Sequence, residues 1–207
     1  MYCLNVMNFY IMGEIFMKHY AKPEIINSFK DLLNKKSMEK VTVKEICTQC
    51  GVNRQTFYYY FKDIMDILNF IIFEELAVEI AQNRTFETWE DGFLATMHYL
   101  KKNSKMILHI YKSSYWNEAK MYFVEFSNKL LNHVVDECEN NLDVKLQDKD
   151  QLFIVNFYRH VFNGLMMDWV SEGMKEEPEV ILRKLLLMIT GSIPRSVDAF
   201  IKNEEKE

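Results

Sequence analysis

Residues 41–68, VTVKEICTQCGVNRQTFYYYFKDIMDIL, decide the fold. Thr42 stands where a first helix opens, and Glu45 follows three residues later, which is the pattern of a capping box. Val43, Ile46, Cys47 and Cys50 recur at helical spacing and predict one buried stripe. Gly51 comes where a helix ends with positive φ. Val52 then turns inward, and Asn53 is placed to cap a second helix. Phe57 and Phe61 are four apart, share a face and take the core side. Arg54, Gln55, Thr56, Tyr58, Tyr59 and Tyr60 are left around the other faces.

Two short helices joined by a tight turn make a helix-turn-helix, whose second helix enters the DNA major groove. The residue types on α-helical positions 54–60 suit that role. Arg pairs bidentately with guanine, Gln with adenine, and Thr touches a thymine methyl. Tyr hydroxyls and Lys ammonium groups suit phosphate oxygens, which fix register without carrying sequence information. The start of the first helix, with Thr42 and Lys44, offers free N–H groups to a phosphate.

The segment resembles the DNA-binding domain of the TetR family of bacterial transcriptional regulators. The family's Thr, Ile-Ala pair, Ala-Gly-Val, capping Ser and Thr-Leu-Tyr-x-His-Phe align with Thr42, Ile46-Cys47, Cys50-Gly51-Val52, Asn53, Thr56-Phe57-Tyr58, Tyr60 and Phe61. The resemblance implies phosphate contacts by Thr42, Tyr58, Tyr59 and Tyr60. It implies base-edge or nearby backbone contacts by Lys44, Arg54, Gln55 and Thr56. Cys47 and Cys50 replace small Ala residues, Tyr60 replaces a usual His, and Ile64 takes the place of a phosphate-gripping Lys, for which Lys62 is the substitute. The run Arg-Gln-Thr-Phe-Tyr-Tyr-Tyr-Phe also resembles a subgroup related to the activator of dihydroxyacetone kinase operons.

The 207 residues, 49% hydrophobic and 27% charged, describe a globular chain. Six Gly and three Pro between long periodic segments predict an all-α fold. The net charge of −5 is unusual for a DNA binder, but it is unevenly spread. Met17–Lys62 carries nine Lys/Arg and four Asp/Glu, or +5, while Asp63–Glu207 carries sixteen and twenty-five, or −9. A basic head on an acidic body attracts DNA on one side and repels it elsewhere. Cys3, Cys47, Cys50 and Cys138 fit a reducing cytoplasm. Cys47 and Cys50 lack a second Cys/His pair and read as small core residues rather than a metal or redox site.

Met1–Phe16 reads as an extension outside the domain. It lacks a basic start and a cleavage site, so it is a poor signal peptide, and it is too short and polar to span a membrane. Gly13-Glu14 can be encoded by a purine-rich ribosome-binding sequence, which makes Met17 the expected native start. The division is then residues 1–16 as non-native or disordered extension, 17–64 as a three-helix DNA-binding domain, and 65–207 as a helical regulatory and dimerisation domain.

Ile25, Ile26, Phe29, Leu32 and Leu33 give the first helix its apolar face, with its end near Lys36. Asp63 is the expected cap of a fourth helix linking head to body. Body helices are expected over Thr88–Lys102, Ser104–Tyr111, Trp116–Asn140, Lys149–Glu172 and Pro178–Ile189. The last two are rich in large apolar residues; core packing is the plain reading, and the resemblance implies that helices near 149–172 and 178–189 form the homodimer interface, which agrees with the two-fold protein a palindromic site needs. Trp89, Phe93, Met97, Tyr111, Tyr115, Trp116, Tyr122, Phe123 and Phe126 cluster in the body; plain core is the commoner meaning of such a pattern. His98, His109, His133 and His160 stand singly and do not have metal-ligand spacing.

No nucleophile elbow, P-loop, zinc-protease pair or dinucleotide fingerprint is present, so neither an enzyme nor a cofactor is expected. The expected partners are double-stranded DNA, a second copy, and either a small-molecule effector in the body or a co-activator protein. The third alternative is a helical ligand-binding protein silent toward DNA. No membrane is expected, and the expected location is the cytoplasm.

Overall fold

The computed structural model describes residues 21–79, 85 and 87–204; the reading of residues 1–16 lies outside them. Helix α1 is described over 21–33. Ile25, Phe29 and Leu33 are fully buried along one face, with Leu32 at its edge. The helix stops short of Lys36, although the Lys36 N–H still bonds the Leu32 carbonyl at 3.0 Å. The connection is a 3-10 turn, Met38–Lys40, whose Met38 is driven into the core.

Helices α2 (Val43–Cys50), α3 (Arg54–Tyr60) and α4 (Ile64–Phe70) complete the head. Asp63 caps α4 by accepting from the Met65 and Asp66 N–H groups at 2.9 and 3.0 Å. Beyond Phe70 the chain runs through a π-helical turn, Ile71–Glu75, into α5 (Leu76–Glu79). The expected continuous fourth helix is thus interrupted by a wider turn, of a kind that marks functional or strained places in helices.

The body holds α6 (Trp89–Lys102), α7 (Ser104–Tyr111), α8 (Trp116–Leu142), α9 (Asp148–Ser171) and α10 (Pro178–Ile189). These agree with the expected spans to within a residue or two. A further helix, α11 (Ser192–Glu204), was not expected. Gly191, at φ +68°, ends α10, and the chain restarts at once. Pro194 is tolerated because it falls in the first turn, where an N–H has no intrahelical partner. Ile193 and Val197 anchor α11 in the core.

Two apolar clusters organise the molecule. One is built in the body around Phe93, Met97, Phe126, Val135, Tyr158 and Trp169. The other holds Ile25, Phe29, Ile46, Phe57, Phe61 and Ile67 of the head, and also Met106, Ile110 and Ala119 from α7 and α8. Polar contacts follow the same seam. The Ser114 N–H donates to Glu39 Oε1 at 2.6 Å, and a ring nitrogen of His109 meets the Leu33 carbonyl. Glu75, in the π turn, takes Lys30 from α1 and the Tyr99 hydroxyl from α6.

Candidate nucleic-acid interface

The turn between α2 and α3 is built as its residues dictate. The Thr42 hydroxyl accepts from the Glu45 N–H at 3.3 Å, and Glu45 returns the bond to the Thr42 N–H at 3.1 Å. Glu45 also holds Lys36 at 2.5 Å, and this ion pair, with Thr42, keeps its carboxyl below the usual range. Gly51 takes φ +69°, a left-handed conformation open to glycine without strain. Asn53 Oδ1 accepts from the Thr56 N–H at 2.8 Å and starts α3.

Phe57 is fully buried and Phe61 nearly so, which fixes the rotation of α3. Arg54, Gln55, Tyr58 and Tyr59 consequently face outward, with Thr56 and Tyr60 half-buried. Thr42, Lys44 and Lys62 are exposed on the flanks. Arg54, Gln55, Tyr58 and Tyr59 therefore share the solvent side of α3. The Arg54 guanidinium bonds the Tyr58 hydroxyl at 3.3 Å, and its carbon lies 5.9 Å from the ring centroid. That pairing follows from the i, i+4 spacing of the two residues. Tyr59 and Tyr60 meet edge to face, centroids 4.9 Å apart.

The nearby carboxylates are engaged by backbone: Asp63 caps α4, and Asp66 accepts from the Lys62 N–H at 3.0 Å. Ile64 packs partly buried against the head cluster, so an apolar residue suits the position. Cys47 is buried, Cys50 donates to the Ile46 carbonyl at 3.0 Å, and neither is in a disulfide. Burial pushes the Cys47 thiol up, which disfavours thiolate chemistry. No group of metal-ligating side chains occurs among the described residues. No helix among them is long and apolar enough to cross a membrane.

The aromatic cluster of the body divides in two. Trp89, Phe93, Phe123 and Phe126 line a cavity of about 80 Å³ between α6, α8 and α9, where Asn163 donates to Ser127 at 2.9 Å. Tyr115, Trp116 and Tyr122 instead pack against the head cluster. A second cavity, of about 60 Å³, lies at that seam between Leu68, Ile71, Met106 and Trp116. On the outer face, α9, α10 and α11 form an open groove of about 870 Å³. Large apolar residues stand exposed beside it, among them Phe153 and Phe157 on α9 and Leu187 and Met188 on α10.

Comparison with known proteins agrees with this architecture. Residues 25–69 match the model described as bacterial regulatory proteins, tetR family, and residues 87–191 match the transcriptional regulator C-terminal region. The chain is similar to the HTH-type dhaKLM operon transcriptional activator DhaS of Lactococcus lactis subsp. lactis, 26% identical over 149 residues, covering 72% of this chain and 79% of that one. The solved structure of a dihydroxyacetone kinase operon activator DhaS superposes with a TM-score of 0.65 at 22% identity, covering 83% of this chain and 95% of the other. A TetR transcriptional regulator from Streptococcus agalactiae gives 0.56 at 20% identity, with 86% and 98% covered.

Proposed function

This chain belongs to the TetR family of bacterial transcriptional regulators, and from that premise we propose that it acts in the cytoplasm as a homodimer on a palindromic operator. It is a DNA-binding transcriptional regulator with an all-α fold. The observation that carries the reading is the outward face of α3, where buried Phe57 and Phe61 leave Arg54, Gln55 and Tyr58 exposed together. Arg54, Gln55 and Thr56, with Lys44, meet base edges or nearby backbone, while Thr42, Tyr58, Tyr59, Tyr60 and Lys62 hold phosphates. The basic residues 17–62 and the acidic remainder support this orientation toward DNA. Helices α9 and α10 supply the dimer face, and the division of the chain near residue 64 separates reading from regulation. No catalytic role is assigned.

Control comes through the body. An effector bound between α6, α8 and α9 shifts the heads by its differential affinity for two arrangements. The cavity there is small against the ~300–1,000 Å³ of ordinary ligand sites. Its size favours a second reading, control by a partner protein, which the similarity to a dhaKLM operon activator also supports.

Selection of random duplex DNA against the purified protein at defined salt tests the primary reading. A palindromic consensus is expected, and no enrichment by a folded dimer would remove it. On that consensus Arg54→Ala is expected to cost about 1–3 kcal/mol and to relax specificity at one base position. A uniform loss across sequences with a shallower salt slope would reassign Arg54 to phosphate.

A further inference from the structure

Gly164 lies in the interior of α9, a helix of 24 residues. Gly is disfavoured there, because it brings maximal backbone entropy and buries nothing. The chain itself gives no reason for it. Gly164 is exposed, and a Cβ added to it would meet no neighbouring atom within 4 Å. Ala would therefore fit the single chain and improve the helix. The residues around it are apolar: Phe157, Val161 and Leu165 follow one side of α9, and Met188 faces them from α10.

Three charges on the same groove have no ion pair among the described residues: Asp168 on α9, Glu172 just past its end, and Arg195 on α11. The two acids and Arg195 lie toward opposite ends. Arg195 is next to Ser196, which with Ser192 meets the Tyr158 hydroxyl at one end. Asp168 is next to Trp169, whose Nε1 donates to the Glu176 carbonyl at the other. Gly164 falls between Tyr158 and Trp169 along α9. A two-fold axis through the middle of the groove exchanges its ends, so each acidic end meets a basic end.

We propose that a second copy of this chain seats on the groove with the two α9 helices crossing at Gly164, and that Asp168 of each copy pairs with Arg195 of the other. The proposal rests on the homodimer reading above and adds its register. Absence of a Cβ at the crossing allows the backbones to approach at the short end of the ~8–10 Å interaxial range. The glycine is then retained for the dimer against the preference of the isolated helix. The pairing of opposite charges at two symmetry-related places opposes parallel or shifted registers, in which like charges would meet.

Sedimentation equilibrium of the full chain, with far-UV circular dichroism to confirm native helicity, tests this. The unaltered chain is expected to be a dimer. Gly164→Leu is expected to raise the dimer dissociation constant by at least about tenfold through overpacking of a closely apposed face. Its helicity should be unchanged, because the position faces open space in the single chain. D168R and R195D should each weaken the dimer, and the double variant D168R/R195D should recover most of the loss. Unaltered dimerisation of Gly164→Leu, or no recovery in the double variant, would overturn the register while leaving the dimer standing. A wild-type monomer would instead remove the homodimer reading itself, and the register with it.

Discussion

The Glu139→Ala substitution tests how the two longest helices are held together. Glu139 is buried near the end of α8, with its side chain 3% exposed. Oε1 accepts the Leu146 N–H at 2.7 Å, and Oε2 accepts Lys145 Nζ at 2.8 Å. Both donors belong to the link that turns the chain from α8 into α9, after Asp143 has taken φ +54° to end α8. The two bonds are unequal in worth. Lys145 is 68% exposed and finds water readily, so its half contributes little. The Leu146 N–H is buried with its residue and has no such alternative. Removing the carboxylate orphans that donor, at a cost of about 1–3 kcal/mol, and forfeits the packing of the Glu methylenes. Glu139→Ala should therefore fall near the upper end of that range. Glu139→Gln keeps a carbonyl oxygen for the Leu146 N–H and should lose only a small fraction of it. Urea unfolding at one fixed protein concentration, with linear extrapolation, measures both. Equal losses for Ala and Gln would refute the assignment to Leu146. A loss below about 0.5 kcal/mol for Ala, the level of ordinary surface changes, would refute the clamp altogether.

Glu39 gives a pH prediction. The Ser114 N–H holds its carboxyl below the ordinary value of 4.5. A folded pKa depressed in this way contributes stability above the unfolded pKa, and that stability is lost as pH falls through the folded value. The stability difference between wild type and Glu39→Gln should be present at neutral pH, shrink as pH falls below 4.5 and vanish once pH is under the folded pKa, while a difference flat in pH would refute the contact. Cys47 should alkylate at least about tenfold more slowly in the native protein than in urea, since burial suppresses both thiolate and access. Site-resolved mass spectrometry after iodoacetamide reads this, and equal rates would show the α2 sulfurs to be reachable.

The head was legible because its signals are local and agree with one another. Thr42, Glu45, Gly51 and Asn53 each have one good structural use at their positions, and the structure uses them so. Phe57 and Phe61 then orient α3 without reference to anything distant. Met38 was harder. It reads as part of a polar connection, yet a single 3-10 turn makes it a fully buried plug. The π turn at Ile71–Glu75 has no composition of its own, because one extra residue in a helical turn does not alter the apolar pattern enough to be read. The aromatic cluster divided for a related reason: residues neighbouring in sequence, such as Tyr122 and Phe126, lie one turn apart and serve different layers. The missed α11 is the case in which punctuation misled, since Gly191 and Pro194 mark a boundary between helices as readily as the end of helical structure.

Helix α9 shows why the outer face resisted reading. An amphipathic helix announces its buried side by a polar side opposite. On α9, Ile154, Val155, Tyr158, Phe162, Met166 and Trp169 are buried, while Leu152, Phe153, Phe157 and Leu165 are exposed. Apolar residues thus lie all round, and periodicity alone does not distinguish the face toward the chain's own core from the other. The distinction becomes available only once α8 is seen to occupy one side. What remains on the other side is a surface with the composition of a core, interrupted by a glycine and a carboxylate. In a single chain both interruptions are unfavourable or idle: Ala would be better than Gly164, and Asp168 has no ionic partner among the described residues. In the proposed dimer, their sense lies in a face covered by a second copy. A sequence that specifies two contacts with one helix must compromise the pattern of each, and α9 is that compromise.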